Sequence, residues 1–88
     1  SLSQAALNGQ QNVFITGSTG FIGGSIAVHL VAAGHTVRGL VRSEAQAAQI
    51  AELGITPVLG DLVDGAVLTR EARRADAVID AANSDDLV

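Results

Sequence analysis

With 88 residues, the chain is long enough for one small hydrophobic core and too short for a complete doubly wound domain. Hydrophobic residues make up 48% of it and charged residues 16%, which excludes intrinsic disorder. The net charge is -4 and the five cations are arginines dispersed along the chain, so we expect neither nucleic acid nor an acidic membrane surface as a partner. No apolar run approaches the roughly 20 residues that span a bilayer, no basic leader opens the chain, and cysteine is absent. We expect a soluble, cytoplasmic protein.

The first part of the chain predicts a tail, a strand and a helix. Residues 1–12 are small and polar without sustained apolar periodicity, and we expect a flexible tail there. The short apolar run 13–16 ends at a glycine, as a buried parallel strand does. Apolar residues then recur at helical spacing over 21–33, and Gly34 follows as a C-terminal cap. Folding is therefore expected over residues 13–88.

The next segments continue the alternation of strand and helix. Residues 36–41 predict a second strand, after which Ser43 and Gln46 have the spacing of a capping box that opens a second helix. Residues 55–59 predict a third strand. It contains Pro57, which lacks a backbone donor and therefore favours an edge position in the sheet.

Asp64 is placed to cap a third helix that reaches about residue 74, and residues 77–81 predict a fourth strand. Strands that alternate with helices imply right-handed βαβ crossovers and a parallel sheet. The sequence thus predicts an α/β fold, a partial Rossmann-type domain with strand order 3-2-1-4 and helices on both faces. The expected core includes Val13, Ile15, Val37 and Val41.

Three glycines spaced three apart lie between the first strand and the first helix. Gly17 permits a tight turn, Gly20 lets backbone amides approach a pyrophosphate, and Gly23 lets the helix pack closely on the sheet. An anion bound there lies at a helix N-terminus, where free N–H groups and the helix dipole favour negative charge. A P-loop is excluded, because no Gly-Lys-Ser/Thr follows and the chain has no lysine.

Residues 13–23, Val-Phe-Ile-Thr-Gly-Ser-Thr-Gly-Phe-Ile-Gly, resemble the opening of the extended and atypical short-chain dehydrogenase/reductase superfamily. Its members include NAD(P)-dependent epimerases, dehydratases and reductases. The segment 60–62 is similar to the family motif in which an acid contacts the adenine amine and the next residue lies along the adenine. Residues 77–83 resemble the strand end whose small residues line the dinucleotide. The resemblance implies a cofactor-binding role for Gly17, Ser18, Thr19, Gly20, Phe21, Ile22, Gly23, Asp61, Leu62, Ala81, Ala82 and Asn83.

Arg42 points to the phosphorylated form of the cofactor. Val41 matches the position of the family's usual acid, and Arg42 follows it. This resembles the NADP-using members, which pair an arginine with the 2′-phosphate, and a guanidinium suits phosphate through two parallel hydrogen bonds. We expect NADP, with NAD possible, and the alternative is a solvated surface arginine. Arg38 lies roughly 13 Å away along the strand, too far to clamp the same phosphate, and helix capping is the expected role of Ser43.

The superfamily's chemistry is carried by a Tyr-x-x-x-Lys pair with a nearby Ser or Thr. The chain has no tyrosine and no lysine, so we assign no catalytic residue. The expected function is NADP(H) binding, as the dinucleotide-binding part of an oxidoreductase or epimerase whose catalytic half and small-molecule substrate site lie outside this sequence. The alternative is a non-catalytic NAD(P) sensor similar to the nitrogen-metabolite regulator. A Rossmann-like methyltransferase is disfavoured by the glycine spacing.

Three further features have expected structural roles. His29 and His35 are six apart with no carboxylate at metal-ligand spacing, so we expect no metal site. Asp80, in a mostly apolar strand, must be paired, exposed at an edge or functional, and a structural role is favoured. The fourth strand should offer an open edge at residues 77–81, which we expect to be covered by another copy or by the remainder of the protein.

Overall fold

The structure, a computed structural model, describes residues 9–81. Over that range four strands alternate with three helices, and none of these helices is long and apolar enough to cross a membrane. The elements in chain order are β1 (Asn12–Thr16), α1 (Phe21–Ala32), β2 (Thr36–Val41), α2 (Glu44–Ala51), β3 (Thr56–Leu59), α3 (Gly65–Arg74) and β4 (Ala77–Asp80).

All four strands form one parallel sheet in the order β3-β2-β1-β4. Val13 of β1 lies opposite both Val37 of β2 and Ala77 of β4, and Val41 lies opposite Leu59 of β3. The predicted fold class and strand order are confirmed. The prediction for the proline-containing strand is confirmed as well, because β3 is an outer strand of this sheet.

Helices cover both faces of the sheet, as expected. Successive side chains of a strand point to opposite faces. At Gly39 of β2, a Cβ atom would lie 3.1 Å from the side chain of Ile50 in α2. The next residue back, Arg38, pairs instead with Glu71 of α3. Therefore α2 and α3 lie on opposite faces of β2.

The main core lies between the sheet and the first two helices. All four residues predicted for the core are buried. Burial of a large aliphatic side chain contributes roughly 1.5–3 kcal/mol, so this layer supplies much of the driving force for folding. The cluster consists of Ile15, Ala27, Val37, Val41, Ala47, Ile50 and Ile55.

The first strand begins one residue earlier than the sequence predicts, because two long-range contacts fix its start. The backbone N–H of Asn12 donates to the Asp76 carboxylate at 2.7 Å, and the N–H of Asp76 donates to the Asn12 carbonyl at the same distance. Just before it, the N–H of Gln11 donates to Nδ1 of His35 at 3.0 Å. Residues 1–8 of the predicted tail lie outside the described residues.

The predicted helix signals are in place. Gly34 follows α1 with a φ of +94°, a left-handed conformation that glycine adopts without strain. The Ser43 hydroxyl accepts from the backbone N–H of Gln46 at 3.2 Å, and the Asp64 carboxylate accepts from that of Val67 at 3.2 Å. Both side chains satisfy donors that have no partner within the helix.

Candidate dinucleotide site

The glycine loop leaves the N-terminus of α1 open. Gly17 adopts a φ of +80°, and its carbonyl accepts from the N–H of Gly20 at 3.1 Å, which closes the turn. Gly20 is the N-cap residue, and it offers no side chain to the first turn of the helix, which also contains no acidic residue. The free N–H groups of that turn are therefore available to an anion.

Gly23 allows the helix to touch the loop that precedes it. A Cβ atom at Gly23 would lie 2.0 Å from the carbonyl oxygen of Gly17 and 3.1 Å from the Cβ of Ala81. Real Cβ atoms do not approach a carbonyl oxygen so closely, so no larger residue fits without moving the loop. The first turn of α1 thus packs directly on the ends of β1 and β4, in the role that the sequence predicts for this glycine.

The two residues inside the loop differ in exposure. Ser18 is 2% exposed, and its hydroxyl has no hydrogen-bond partner among the described residues. It faces Gly39 of β2, where a Cβ would lie 2.5 Å from the Ser18 oxygen. Thr19 is exposed, and so is Ile22 in the first turn of α1. Ser18 can therefore present only backbone atoms to a ligand, whereas Thr19 and Ile22 present side chains.

The carboxyl ends of β2 and β3 bring three other predicted residues to the same edge of the sheet. The N–H of Gly60 donates to the carbonyl of Val41 at 2.9 Å, so the two segments stay paired to the last residue of β2. Arg42 follows Val41 and Asp61 follows Gly60, and both side chains are exposed. Leu62 is 45% exposed. Ligands of open parallel sheets bind at this edge, outside the carboxyl ends of the strands.

Arg42 has a fixed backbone and a free side chain. Its N–H donates to Oε1 of Gln46 at 2.8 Å. Within residues 9–81, its guanidinium forms no hydrogen bond or ion pair and is exposed to solvent. A guanidinium exposed in this way is accessible to an anionic ligand.

Arg38 is buried and committed elsewhere, in agreement with its exclusion from the phosphate site. Its guanidinium pairs with the carboxylate of Glu71, donates to the Glu71 carbonyl at 3.1 Å, and lies 5.8 Å from the ring centroid of Phe14. The spacing of the residues along the strand predicts only that Arg38 is too far from Arg42, and it does not reveal this buried ion pair. The available signal was an arginine inside an otherwise apolar strand, since a buried charge requires a partner.

The carboxylate of Glu71 forms ion pairs with three arginines on the face of the sheet that α3 covers. Besides Arg38, its carboxylate accepts from Nε of Arg70 at 3.1 Å and from Nη1 of Arg74 at 3.3 Å. Burial raises the pKa of the Glu71 carboxyl, but the hydrogen bond from Arg70 and the positive charge of Arg38 lower it. Arg74 acts in the same direction, and the net pKa lies below the ordinary value of a glutamate.

The end of β4 closes the other side of the site. The hydroxyl of Thr16 donates to the Asp80 carboxylate at 2.7 Å, so this acid is paired within the sheet, as a structural role requires. Ala81 is buried, and its N–H donates to the Thr16 carbonyl at 2.9 Å. The predicted cofactor contacts Ala82 and Asn83 lie outside the described residues.

Both histidines take part in local contacts. The Nδ1 atom of His29 lies 2.8 Å from the Ser25 carbonyl, within the same helix, and His35 accepts from Gln11 as described above. Among the residues that the structure describes, no group of three metal-ligating side chains comes together.

A parallel sheet of order 3-2-1-4 with an open helix N-terminus after β1 defines a Rossmann-type NAD(P)-binding region. Comparison with known proteins agrees with this class. A model of the NmrA-like family matches residues 9–87, and the chain belongs to that family. The resemblance to the short-chain dehydrogenase/reductase superfamily is confirmed.

Several relatives cover most of the chain. An uncharacterised protein of Schizosaccharomyces pombe is 46% identical over 70 residues, which is 80% of this chain and 24% of the relative. The sterol-4-alpha-carboxylate 3-dehydrogenase, decarboxylating, of Dictyostelium discoideum is 39% identical over 82% of this chain and 22% of its own length. Among solved structures, AtPrR2 in apo form matches with a TM-score of 0.70 and 26% identity, over 82% of this chain and 28% of that one.

The chain thus spans about a quarter of the length of the curated relatives that it matches. Those relatives support an NAD(P)-binding region of oxidoreductase type. Their names do not distinguish NAD from NADP.

Proposed function

We propose that this chain binds NADP(H) as the dinucleotide-binding part of an oxidoreductase or epimerase, whose catalytic and substrate-binding residues lie in other parts of the protein. The pyrophosphate lies on the amides of the glycine loop, at the N-terminus of α1. Asp61 contacts the adenine amine, and Leu62 lies along the adenine ring.

One observation carries the choice of cofactor, the free guanidinium of Arg42 at the carboxyl end of β2. The 2′-phosphate of NADP carries close to two negative charges, which a partnerless arginine beside the site can offset. Val41, at the position of the usual acid, is buried and offers no carboxylate to the ribose hydroxyls of NAD. The turn therefore favours the phosphorylated dinucleotide.

The test is to measure the dissociation constants of NADP and NAD for the intact protein before and after Arg42→Ala, at fixed ionic strength. A charge-assisted hydrogen bond contributes about 1.5–3 kcal/mol, or roughly a 10- to 150-fold preference. Because Arg42 is exposed, we expect NADP binding to weaken by about tenfold, near the lower end of that range, and NAD binding to stay nearly constant.

The matched control is Arg73→Ala, which removes an exposed arginine from α3 and should leave both constants unchanged. If unmodified protein binds NAD more tightly than NADP, or if Arg42→Ala weakens both cofactors equally, Arg42 is not the phosphate ligand.

A non-catalytic NAD(P) sensor is the second candidate. One observation favours it, membership of the NmrA-like family. A Tyr-x-x-x-Lys pair in the rest of the gene product, together with cofactor turnover, supports the enzyme. Tight dinucleotide binding without such a pair and without turnover supports the sensor.

We also propose that β4 is covered in the intact protein, by its remaining residues or by a second copy. Val78 is 51% exposed, and β4 is an outer strand of the described sheet. The amides of β4 that point away from β1 should then exchange slowly with deuterium, and rapid exchange would contradict this. A cytoplasmic location stays a prediction, which cell fractionation tests.

A further inference from the structure

The side chain of Gln46 bonds the turn that carries Arg42 to the first turn of α2. The Oε1 atom of Gln46 accepts from the backbone N–H of Arg42 at 2.8 Å, and the backbone N–H of Gln46 donates to the Ser43 hydroxyl at 3.2 Å. In the usual capping box, the third helical residue reaches back to the N-cap residue itself. Here it reaches one residue further, to Arg42, so the helix cap also fixes the end of β2.

Gln46 is the third residue of α2, and glutamate would serve equally well as the acceptor. A carboxylate accepts from a backbone N–H as an amide oxygen does, and negative charge is favoured in the first turn of a helix. The capping interaction and the helix dipole therefore both allow glutamate at this position. The difference between the two residues is that glutamine adds no negative charge beside Arg42.

The side-chain amide of Gln46 is also a hydrogen-bond donor. Its oxygen is used by Arg42, whereas its NH2 group has no partner among the described residues. The side chain is only partly buried. A hydrogen-bond donor is thus held next to the backbone of Arg42, and a phosphate oxygen could accept from it.

We propose that Gln46 is a specificity-determining residue for the 2′-phosphate, because it fixes the turn that carries Arg42 and adds no further negative charge to the one that Glu44 already places in the first turn of α2. This inference rests on the proposed function, in which Arg42 is the phosphate ligand. It assigns to Gln46 a part in cofactor choice in addition to the capping of α2.

The decisive variant is Gln46→Glu in the intact protein, with NADP and NAD as the probes. The variant retains the acceptor for Arg42, so the thermal midpoint should be unchanged or higher. For an assumed separation of roughly 7 Å in a water-like medium, the repulsion between this carboxylate and a doubly charged phosphate should weaken NADP binding by about 2- to 7-fold, depending on the ionic strength. NAD lacks that phosphate, so its affinity should change less than twofold.

Two companion variants separate the charge from the positioning. Ala48→Glu places the same carboxylate at an exposed position of the same helix, away from the turn. It should leave the ratio of NADP affinity to NAD affinity unchanged. Gln46→Ala removes the acceptor without adding charge. It should lower the thermal midpoint and weaken NADP binding more than NAD binding.

The outcomes distinguish this inference from the proposed function. If Arg42→Ala leaves the ratio of NADP affinity to NAD affinity unchanged, the proposed phosphate ligand is wrong. If Arg42→Ala lowers this ratio but Gln46→Glu does not, the role of Arg42 is supported and the role of Gln46 is overturned. The role of Gln46 is also overturned if Gln46→Glu weakens both cofactors equally, or if Ala48→Glu lowers the ratio as strongly.

Discussion

Replacement of Glu71 by glutamine should destabilise the protein strongly, because it leaves the charge of Arg38 buried without its partner. The two side chains are 3% and 7% exposed, respectively. Removal of one partner of a buried ion pair typically costs 3–5 kcal/mol. Arg38 keeps the Glu71 carbonyl and the face of Phe14, so we expect a loss near the lower end, about 3 kcal/mol. The contacts from Arg70 and Arg74 add little, since both side chains are more than half exposed.

Urea denaturation of the intact protein at pH 7 measures this loss as a fall in the unfolding midpoint. The matched control is Glu52→Gln, which changes an exposed glutamate that forms no ion pair in the described residues and should cost less than about 0.5 kcal/mol. The double variant Arg38→Met/Glu71→Leu should recover most of the loss, because burial of both charges has its own desolvation cost. If Glu71→Gln costs no more than the control, the buried pair does not contribute as argued.

The same carboxylate gives a pH dependence with a definite sign. The folded pKa of Glu71 lies below its unfolded value, so its contribution to stability is fully present above the unfolded pKa and is lost as the pH falls through the folded pKa. The unfolded pKa is about 4.3, so the loss should occur below about pH 4.5. Unfolding midpoints measured from pH 7 to pH 3 should therefore fall less steeply for Glu71→Gln than for the unmodified protein, and equal slopes would refute the assignment.

Two further predictions concern glycines at which a side chain has no room. Gly23→Ala should weaken dinucleotide binding at least tenfold in a cofactor titration, because the new Cβ would lie 2.0 Å from the carbonyl oxygen of Gly17. The control is Gly65→Ala, whose Cβ would have no atom within 4 Å and which should not change binding. Equal effects of the two substitutions would refute the packing argument. Gly39→Ala should cost about 1–3 kcal/mol in urea denaturation, since its Cβ would lie 2.5 Å from the Ser18 hydroxyl. Adding Ser18→Ala should restore at least about 1 kcal/mol through the coupling between the two sites, and strict additivity would argue against the contact.

The sequence determined those features that depend on residues close together in the chain. Short apolar segments located the four strands, apolar periodicity located the first helix, and capping residues located the other two helices. The alternation of strands and helices implied the sheet order. The turn at Gly17 and the caps at Ser43 and Asp64 were predictable because backbone conformation and capping bonds are set within a few residues. The glycine spacing placed the candidate anion site for the same reason.

Only the tertiary structure decided how side chains far apart in the chain meet. Arg38 and Glu71 are 33 residues apart and pair because α3 packs on the face of β2 to which Arg38 points. The burial of Ser18 depends on β2 lying directly beneath the loop. These contacts are set by the docking of whole elements, and a helix can dock without any change in the local pattern that predicts it.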